Sequence, residues 1–263
     1  MKDIVIAGYV RSPFAPANKG DLIKVRPDEL AAQVVRGLVE KTGVNVADVE
    51  DLILGCALPE GEQGLNMARL VGFKAELPIS VAGTTVNRFC GSSMQSIHMA
   101  AGAVRMNAGK AFICAGVESM TRVPMMGFNP LPDPDLYASY PQAYISMGET
   151  AENVAEKYQV SRARQEEFAV QSHAKAAAAR DKGLFDDEII PISHKNTRVE
   201  TDGCIRPDTT AEALAETKAQ RKVTQFEEFI RWDKAGDGNV LCGGAKVLSK
   251  CQNMTTDVSE VSN

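Results

Sequence analysis

The sequence predicts an α/β fold, and three observations support that prediction. Short apolar runs, typical of strands that are buried on both faces, recur through the first half of the chain. Between them lie segments whose apolar residues recur every three or four positions, as on one face of a helix. The connections are long enough for right-handed crossovers, so we expect a βαβαβαβ order around a mostly parallel sheet.

The first part of the chain contains four predicted strands and three predicted helices. The strands cover residues 4–10, 52–58, 78–86 and 111–117. The first helix begins at Pro27, which is favoured at a helix start, and ends at Gly43, which is favoured just past a helix end. The other two helices are a short one over residues 67–71 and one rich in small residues from 92 to about 106.

The second part of the chain changes in character. Residues 121–141 are rich in Pro, Met, Asn and Gly without helical periodicity, which predicts a long loop. A helix is expected from Met147 to about Tyr158, and a longer one from Ser161 to Lys182 with Ser161 as its N-cap. The remaining expected elements are a strand at 185–192, an amphipathic helix at 216–232, a turn at 236–239 and a frayed end at 252–263.

Composition limits the classes of function. The chain has 263 residues, is 44% apolar and 24% charged, and carries a net charge of −5, as expected of a globular protein with up to two domains. Mild acidity argues against a nucleic-acid partner, and no apolar run reaches the ~18 residues of a membrane span. The chain starts directly with a predicted strand and shows no signal peptide, so a cytoplasmic location is expected.

The cysteines do not form a metal-binding or redox pattern. The closest pair, Cys242 and Cys251, are nine positions apart, so the chain has no C-x-x-C spacing. Reduced thiols and no metal site are therefore expected.

Cys90 lies where a predicted strand turns into a predicted helix. The free N–H groups and positive dipole end of a helix stabilise an anion, so a thiol at this point loses its proton more easily. Gly91 and two serines after it leave room for a substrate near the sulfur. The alternative is a buried structural cysteine, which is the usual role of a free cysteine.

Two further residues, His98 and Glu118, have competing interpretations. His98 is eight positions from Cys90 on the same predicted helix, about 12 Å along its axis, which is too far for a Cys–His dyad. Glu118, after the fourth strand, either orients a loop or is simply solvated.

The residues around Cys90 read Asn-x-x-Cys-Gly-Ser-Ser-Met-x-Ser-Ile, and this run resembles the acyl-enzyme cysteine motif of the thiolases. The likeness continues through Met-Gly-x-Thr-Ala-Glu-Asn from Met147, Ser-Arg-x-x-Gln-Glu-x-Phe-Ala from Ser161, and Asp-Glu-Ile-Ile-Pro-Ile from Asp187. It extends from about Asp3 to about Leu214.

This resemblance implies an organisation in three parts. Residues 1–118 would form the thiolase N-terminal α/β half, and residues 119–215 a helical loop domain that covers the coenzyme A site. Residues 216–263 depart from the family as a divergent, partly disordered tail. The C-terminal half of the thiolase fold is therefore expected to be absent from this chain.

The resemblance also implies an activity. Thiolases transfer an acyl group between 3-ketoacyl-CoA and CoA through a cysteine thioester, in fatty-acid β-oxidation or in acetoacetyl-CoA formation. Cys90 would be the catalytic residue, Arg206 would contact the CoA phosphates and adenine, and Met147 would line the pantetheine channel. Acyl-CoA and CoA would be substrates with no further cofactor, and the family forms homo-oligomers, either dimers or tetramers.

Three motifs that complete the family's site do not occur here, namely Asn-Glu-Ala-Phe, Gly-His-Pro and Cys-x-Gly-Gly-Gly. Cys242-Gly243-Gly244 differs in spacing from the last of them. Two alternatives therefore stay open beside the acyltransferase: a non-catalytic CoA-binding or dimerisation module with a thiolase half-fold, and a thiol hydrolase that uses Cys90 with an unrecognised base.

Overall fold

The computed structural model describes residues 3–216 and 241–242. These residues belong to two compact units. The first unit comprises residues 3–128, 187–203 and 241–242, and the second comprises residues 129–186 and 204–216. The sequence-based boundaries at residues 118 and 215 concern domains of the family fold and stay predictions.

The first unit is built on a five-stranded sheet with three helices. Its strands are β1 (Val10–Arg11), β2 (Val49–Gly55), β3 (Ala82–Val86), β4 (Ala111–Gly116) and β7 (Leu241–Cys242), and its helices are α1 (Pro27–Thr42), α2 (Met67–Lys74) and α3 (Ser92–Arg105). The strand order is β1-β7-β4-β2-β3. Strands β4, β2 and β3 are parallel, whereas β7 is antiparallel to both of its neighbours. The predicted α/β class with a mostly parallel sheet is confirmed.

Successive side chains of β2 point to opposite faces of the sheet, and each face is covered by different helices. Leu52 and Leu54 are fully buried in the core with the apolar stripe of α1 and with α2. Ile53 and Gly55 point to the opposite face, where the first turn of α3 lies directly over Gly55. The sheet is therefore covered by α1 and α2 on one side and by α3 on the other.

Helix α1 forms as the sequence predicts. Pro27 occupies its first turn, and Gly43 ends it in the left-handed conformation, with φ +62°. The Gly43 N–H donates to the carbonyl of Val39 at 2.9 Å, which satisfies one of the orphan carbonyls at the helix end.

The predicted buried strand over residues 4–10 is wrong for most of its length. Among the described residues, sheet pairing in this segment starts only at Val10. Ile4, Val5 and Ile6 are 39%, 79% and 53% exposed. An apolar run becomes a buried strand only where neighbouring strands and helices cover it, and the described residues cover this run only at its end.

The segment around residue 190 also differs from its prediction. A single parallel bridge joins Arg11 to Ile189, and the regular strand is β5 (Ile192–His194), which forms a hairpin with β6 (Thr197–Val199). Arg11 is buried there between two carboxylates, at 2.8 Å from Glu188 and 2.7 Å from Asp202. This ion-pair cluster fixes the segment against β1, because a buried charge must stay paired.

The second unit is helical. It contains α4 (Pro134–Ser139), α5 (Met147–Lys157), α6 (Arg162–Asp181) and α7 (Ala211–Glu216). Helix α5 starts with a reciprocal capping box between Ser146 and Glu149, and α6 starts at the predicted Ser161 cap. The expected long loop at 121–141 holds the short helix α4, which Asp133 caps.

Several expectations fall outside the described residues: the helix at 216–232, the turn at 236–239 and the frayed end at 252–263. Among the described helices, none combines the length and the apolar character that a membrane crossing requires.

Candidate active site

Cys90 lies in a tight loop between β3 and α3, and its side chain is exposed. The residue that follows it, Gly91, is the N-cap of α3 and makes no side-chain cap. Two amides at this helix start are used within the loop, since the Gly91 N–H donates to the Arg88 carbonyl at 3.0 Å and the Ser92 N–H donates to the Phe89 carbonyl at 3.0 Å. Such a helix start, with its partial positive charge, favours an anion beside it.

Hydrogen bonds within the loop determine its shape. Asn87 Oδ1 accepts the Phe89 N–H at 2.8 Å. The Ser92 hydroxyl accepts the Arg88 N–H at 2.9 Å and donates to the Phe89 carbonyl at 2.5 Å. Phe89 itself has φ +45°, an unfavourable conformation for a residue with a side chain. The loop is therefore held in one conformation by side chains on both sides of Cys90.

Gly55 allows α3 to approach the sheet this closely. A Cβ at Gly55 would contact the Ser92 carbonyl carbon and would lie 2.5 Å from the Ser93 nitrogen. These are backbone atoms of the first turn of α3, which cannot move aside without moving the helix. The glycine at the end of β2 thus decides how close the Cys90 loop lies to the sheet.

A network of partly buried polar groups around the fully buried Gln63 lies at the same end of the sheet, beyond β2 and β4. Glu118 accepts the Ala57 N–H at 2.7 Å and an amide hydrogen of Gln63 at 2.7 Å. Gln63 is fully buried and accepts the Ser119 N–H at 2.6 Å. Burial raises the pKa of the Glu118 carboxyl, while its hydrogen bonds act in the opposite direction. Sequence reasoning noted Glu118 but missed Gln63, because a polar residue in a loop gives no periodic signal. It missed Ala57 because that residue takes part only through its backbone N–H and carbonyl.

Cys56 and Cys114, also in the first unit, are in environments that disfavour the thiolate. Cys56 is buried, and burial together with the nearby Glu118 charge raises the pKa of its thiol to about 12. Cys114 faces α3, and burial raises the pKa of its thiol to about 11. Both thiols are therefore protonated at neutral pH. They also differ from Cys90 in exposure, since Cys90 is exposed, Cys56 is buried and Cys114 is half-buried.

In the second unit, Arg206 and Met147 are both exposed. The Arg206 N–H donates to Nδ1 of His173 at 3.0 Å. His173 is buried on α6, and burial together with the Arg206 charge lowers the pKa of its imidazole to about 4. The neutral ring therefore accepts a hydrogen bond from the backbone of the residue that was predicted to contact phosphate. No sequence pattern pointed to this contact.

His98 is exposed on α3, and the argument against a Cys–His dyad stays a prediction. Within the part of the chain that the structure describes, no three His, Cys, Asp or Glu side chains cluster as a metal site would require.

Comparison with known proteins identifies the family. The model of the thiolase N-terminal domain matches residues 4–223. The chain belongs to the thiolase family. It is 44% identical over 228 residues to a 3-ketoacyl-CoA thiolase of Bacillus subtilis (strain 168). Over 222 residues it is 39% identical to a 3-ketoacyl-CoA thiolase of Psychrobacter sp. (strain PRwf-1) and 41% identical to one of Acinetobacter baumannii (strain AYE).

Each of these alignments covers 82% of this chain but only 57–58% of the relative. The chain thus spans a little over half the length of the thiolases that it matches. The recognition made from the Cys90 motif is confirmed, and the thiolase N-terminal fold with it. The assignments of Cys90, Arg206 and Met147 stay predictions.

Proposed function

We propose that this thiolase-family chain forms an acyl thioester on Cys90 and acts in acyl transfer between 3-ketoacyl-CoA and CoA. The observation that supports this most directly is the placement of Cys90. This exposed residue lies immediately before the N-cap of α3, in a loop whose backbone is held by Asn87 and Ser92. A helix start is a site where a thiolate is stabilised and can act as a nucleophile.

The proposed acyl transfer needs no cofactor. The Cys90 thiolate attacks the 3-keto carbon of the substrate, a C–S bond forms, and the bond between C2 and C3 breaks. Its electron pair leaves on C2 as the enolate of acetyl-CoA, which takes up a proton. A second CoA thiolate then attacks the acyl carbon, and the sulfur of Cys90 leaves as thiolate. In the reverse direction the same groups form acetoacetyl-CoA from two acetyl units.

Binding of the CoA part is proposed for two residues of the second unit. The exposed guanidinium of Arg206 suits the phosphates of CoA, because its fixed donors match phosphate oxygens. Met147 offers an exposed, flexible apolar side chain for the pantetheine arm. A homo-oligomer, dimer or tetramer, and a cytoplasmic location belong to the same proposal.

A non-catalytic CoA-binding module is the second candidate, and one observation favours it. None of the three histidines of the sequence lies in a Gly-His-Pro context, and neither Asn-Glu-Ala-Phe nor Cys-x-Gly-Gly-Gly occurs. Thiolases take the base and the second cysteine of the reaction from those motifs. On this reading the chain binds CoA but leaves Cys90 unmodified.

Incubation with acetyl-CoA followed by peptide mass spectrometry separates the two candidates. In this half-reaction, a C–S bond forms between Cys90 and the acetyl carbonyl carbon, and CoA leaves as thiolate and is protonated. We expect an acetyl group on the Cys90 peptide, and none on that peptide in Cys90→Ala. CoA binding by calorimetry without any acetyl adduct would instead support the binding module. An adduct on other cysteines alone would overturn the role of Cys90.

A further inference from the structure

We propose that Glu118 is a positioning residue for Cys90, acting through Gln63, Ala57 and Asn87. This inference rests on the proposed function, since positioning of the sulfur matters only if Cys90 receives an acyl group. We call these four residues the strand-end clamp. Their hydrogen bonds fix the segment that follows β2, and Asn87 joins the Cys90 loop to that segment.

The first part of the clamp uses both oxygens of one carboxylate. Glu118 Oε2 accepts the Ala57 N–H at 2.7 Å, and Oε1 accepts a hydrogen from Gln63 Nε2 at 2.7 Å. Glu118 follows β4 directly, and its neighbour Val117 donates its N–H to the Gly55 carbonyl at 3.0 Å. The Glu118 carboxylate thus continues the pairing of β4 and β2 beyond their last backbone hydrogen bond. A hydrogen bond from a backbone N–H to a charged carboxylate is stronger than one to a neutral acceptor.

Gln63 closes the second part. Its side chain is fully buried, and its Nε2 also donates to the Leu58 carbonyl at 2.8 Å. Its Oε1 accepts the Ser119 N–H at 2.6 Å. The donors and the acceptor of this amide are therefore all used between the segment after β2 and the segment after β4. A satisfied buried network of this kind rigidifies what it joins.

Ala57 connects the clamp to the reactive loop. Its N–H is held by Glu118, and its carbonyl accepts a hydrogen from Asn87 Nδ2 at 3.1 Å. Oδ1 of the same Asn87 accepts the Phe89 N–H at 2.8 Å, and Phe89 immediately precedes Cys90. A shift of Ala57 is therefore passed through one side chain to the residue next to the sulfur.

The conformation of Phe89 explains why such a clamp is needed. Its φ of +45° lies in a region that residues with side chains rarely occupy, and it persists only where the surroundings enforce it. Asn87 on one side and Ser92 on the other supply that enforcement. Loss of the Ala57 anchor would let this loop relax and would turn the sulfur away from its place.

Two variants test the clamp at different points. Glu118→Gln places an NH₂ group against either the Ala57 N–H or the Gln63 amide, so one clamp bond is lost. Asn87→Asp keeps the oxygen that accepts the Phe89 N–H but removes the donor to the Ala57 carbonyl. Glu60→Gln is the matched control, because Glu60 also accepts a backbone N–H, that of Phe128, at 2.7 Å but outside the clamp.

Two measurements are made on each variant of the full chain. Hydrogen exchange by mass spectrometry follows the amides of residues 87–91. The rate of acetylation of Cys90 by acetyl-CoA is divided by its rate of alkylation by iodoacetamide. Acetylation requires an oriented sulfur in folded protein, whereas alkylation requires only an accessible thiolate and also occurs in unfolded chain. The ratio is therefore corrected for the folded fraction of each variant, which urea unfolding measures.

We expect faster exchange at 87–91 and a ratio about tenfold lower in Glu118→Gln and in Asn87→Asp, with Glu60→Gln like the wild type. Unchanged exchange in both variants overturns the clamp. If the wild type is acetylated, an acetylation-to-alkylation ratio in both variants equal to that of the wild type also overturns it. If the wild type is not acetylated, the proposed function fails. Exchange at 87–91 then decides whether the clamp orders the loop at all.

Discussion

At the scale of single residues, Cys90, Cys56 and Cys114 have the same side chain in different surroundings. Cys90 is exposed at a helix start, whereas Cys56 and Cys114 lie close to the sheet with raised thiol pKa values. Reactivity of a thiol depends on its thiolate fraction and on access. The structure therefore separates one exposed cysteine from two whose ionisation burial disfavours.

Selective labelling follows from this difference. At pH 8, fewer than about one in a thousand of the Cys56 and Cys114 thiols is ionised, given pKa values of about 12 and 11. With limiting iodoacetamide on the folded chain, we expect the Cys90 peptide to be alkylated well before the Cys56 and Cys114 peptides. Peptide mapping measures this order. Equal rates in native protein would contradict it, and equal rates in urea are the control.

His173 makes stability depend on pH. Its folded pKa of about 4 lies below the ordinary value of 6.5, so the neutral ring stabilises the fold above pH 6.5. As the pH falls from 6.5 toward 4, the unfolded chain binds a proton that the folded chain does not. The free energy of unfolding therefore falls over this window.

His173→Gln should remove that part of the pH dependence. We expect the difference in unfolding free energy between wild type and variant, measured by urea titration, to shrink as the pH drops from 7 to 4. His98→Gln, on the exposed side of α3, controls for the loss of an imidazole. A difference that stays constant with pH would mean that His173 is not kept neutral by the fold.

At the scale of elements, close contact between α3 and β2 determines where the Cys90 loop lies. The contact is possible because Gly55 has no side chain, and α3 has backbone atoms where a Cβ would be. Gly102, on α3 itself, has nothing within 4 Å of the position of a Cβ. A side chain at Gly55 would therefore collide with α3, whereas one at Gly102 would meet no other atoms.

Gly55→Ala should destabilise the protein by about 1–3 kcal/mol through overpacking, and it should slow acetylation of Cys90 because α3 must shift. Gly102→Ala should stabilise it by about 0.5–1 kcal/mol, since alanine is the better helix former. Thermal or urea unfolding measures both. A Gly55→Ala protein with wild-type stability and wild-type Cys90 chemistry would show that the helix start does not depend on this contact.

At the scale of the whole molecule, the described residues leave large apolar side chains in water. Val5 is 79% exposed in the N-terminal run, and Met106 is 82% exposed just after α3. Met94 and Met99 on α3 are also more than one-third exposed. Large apolar side chains that stay exposed to water favour association with a partner that covers them.

We therefore expect the isolated chain to self-associate. Light scattering after size exclusion should give a mass that rises with concentration, and charge introduced by Val5→Lys with Met106→Lys should lower it. A single dimer or tetramer mass would support the homo-oligomer of the proposed function. A monodisperse, cooperatively melting monomer would contradict the expectation.

The sequence alone determined the α/β class, the helix bounds around Pro27, Gly43 and Ser161, and the family, because these depend on local periodicity, capping chemistry and a motif of neighbouring residues. It could not determine that residues 4–9 pair with no strand among the described residues, since the burial of a strand depends on what lies beside it. Nor could it join Glu118, Gln63, Ala57 and Asn87. Those residues are separated along the chain by up to 61 positions, and their hydrogen bonds exist only once β2, β3 and β4 lie side by side.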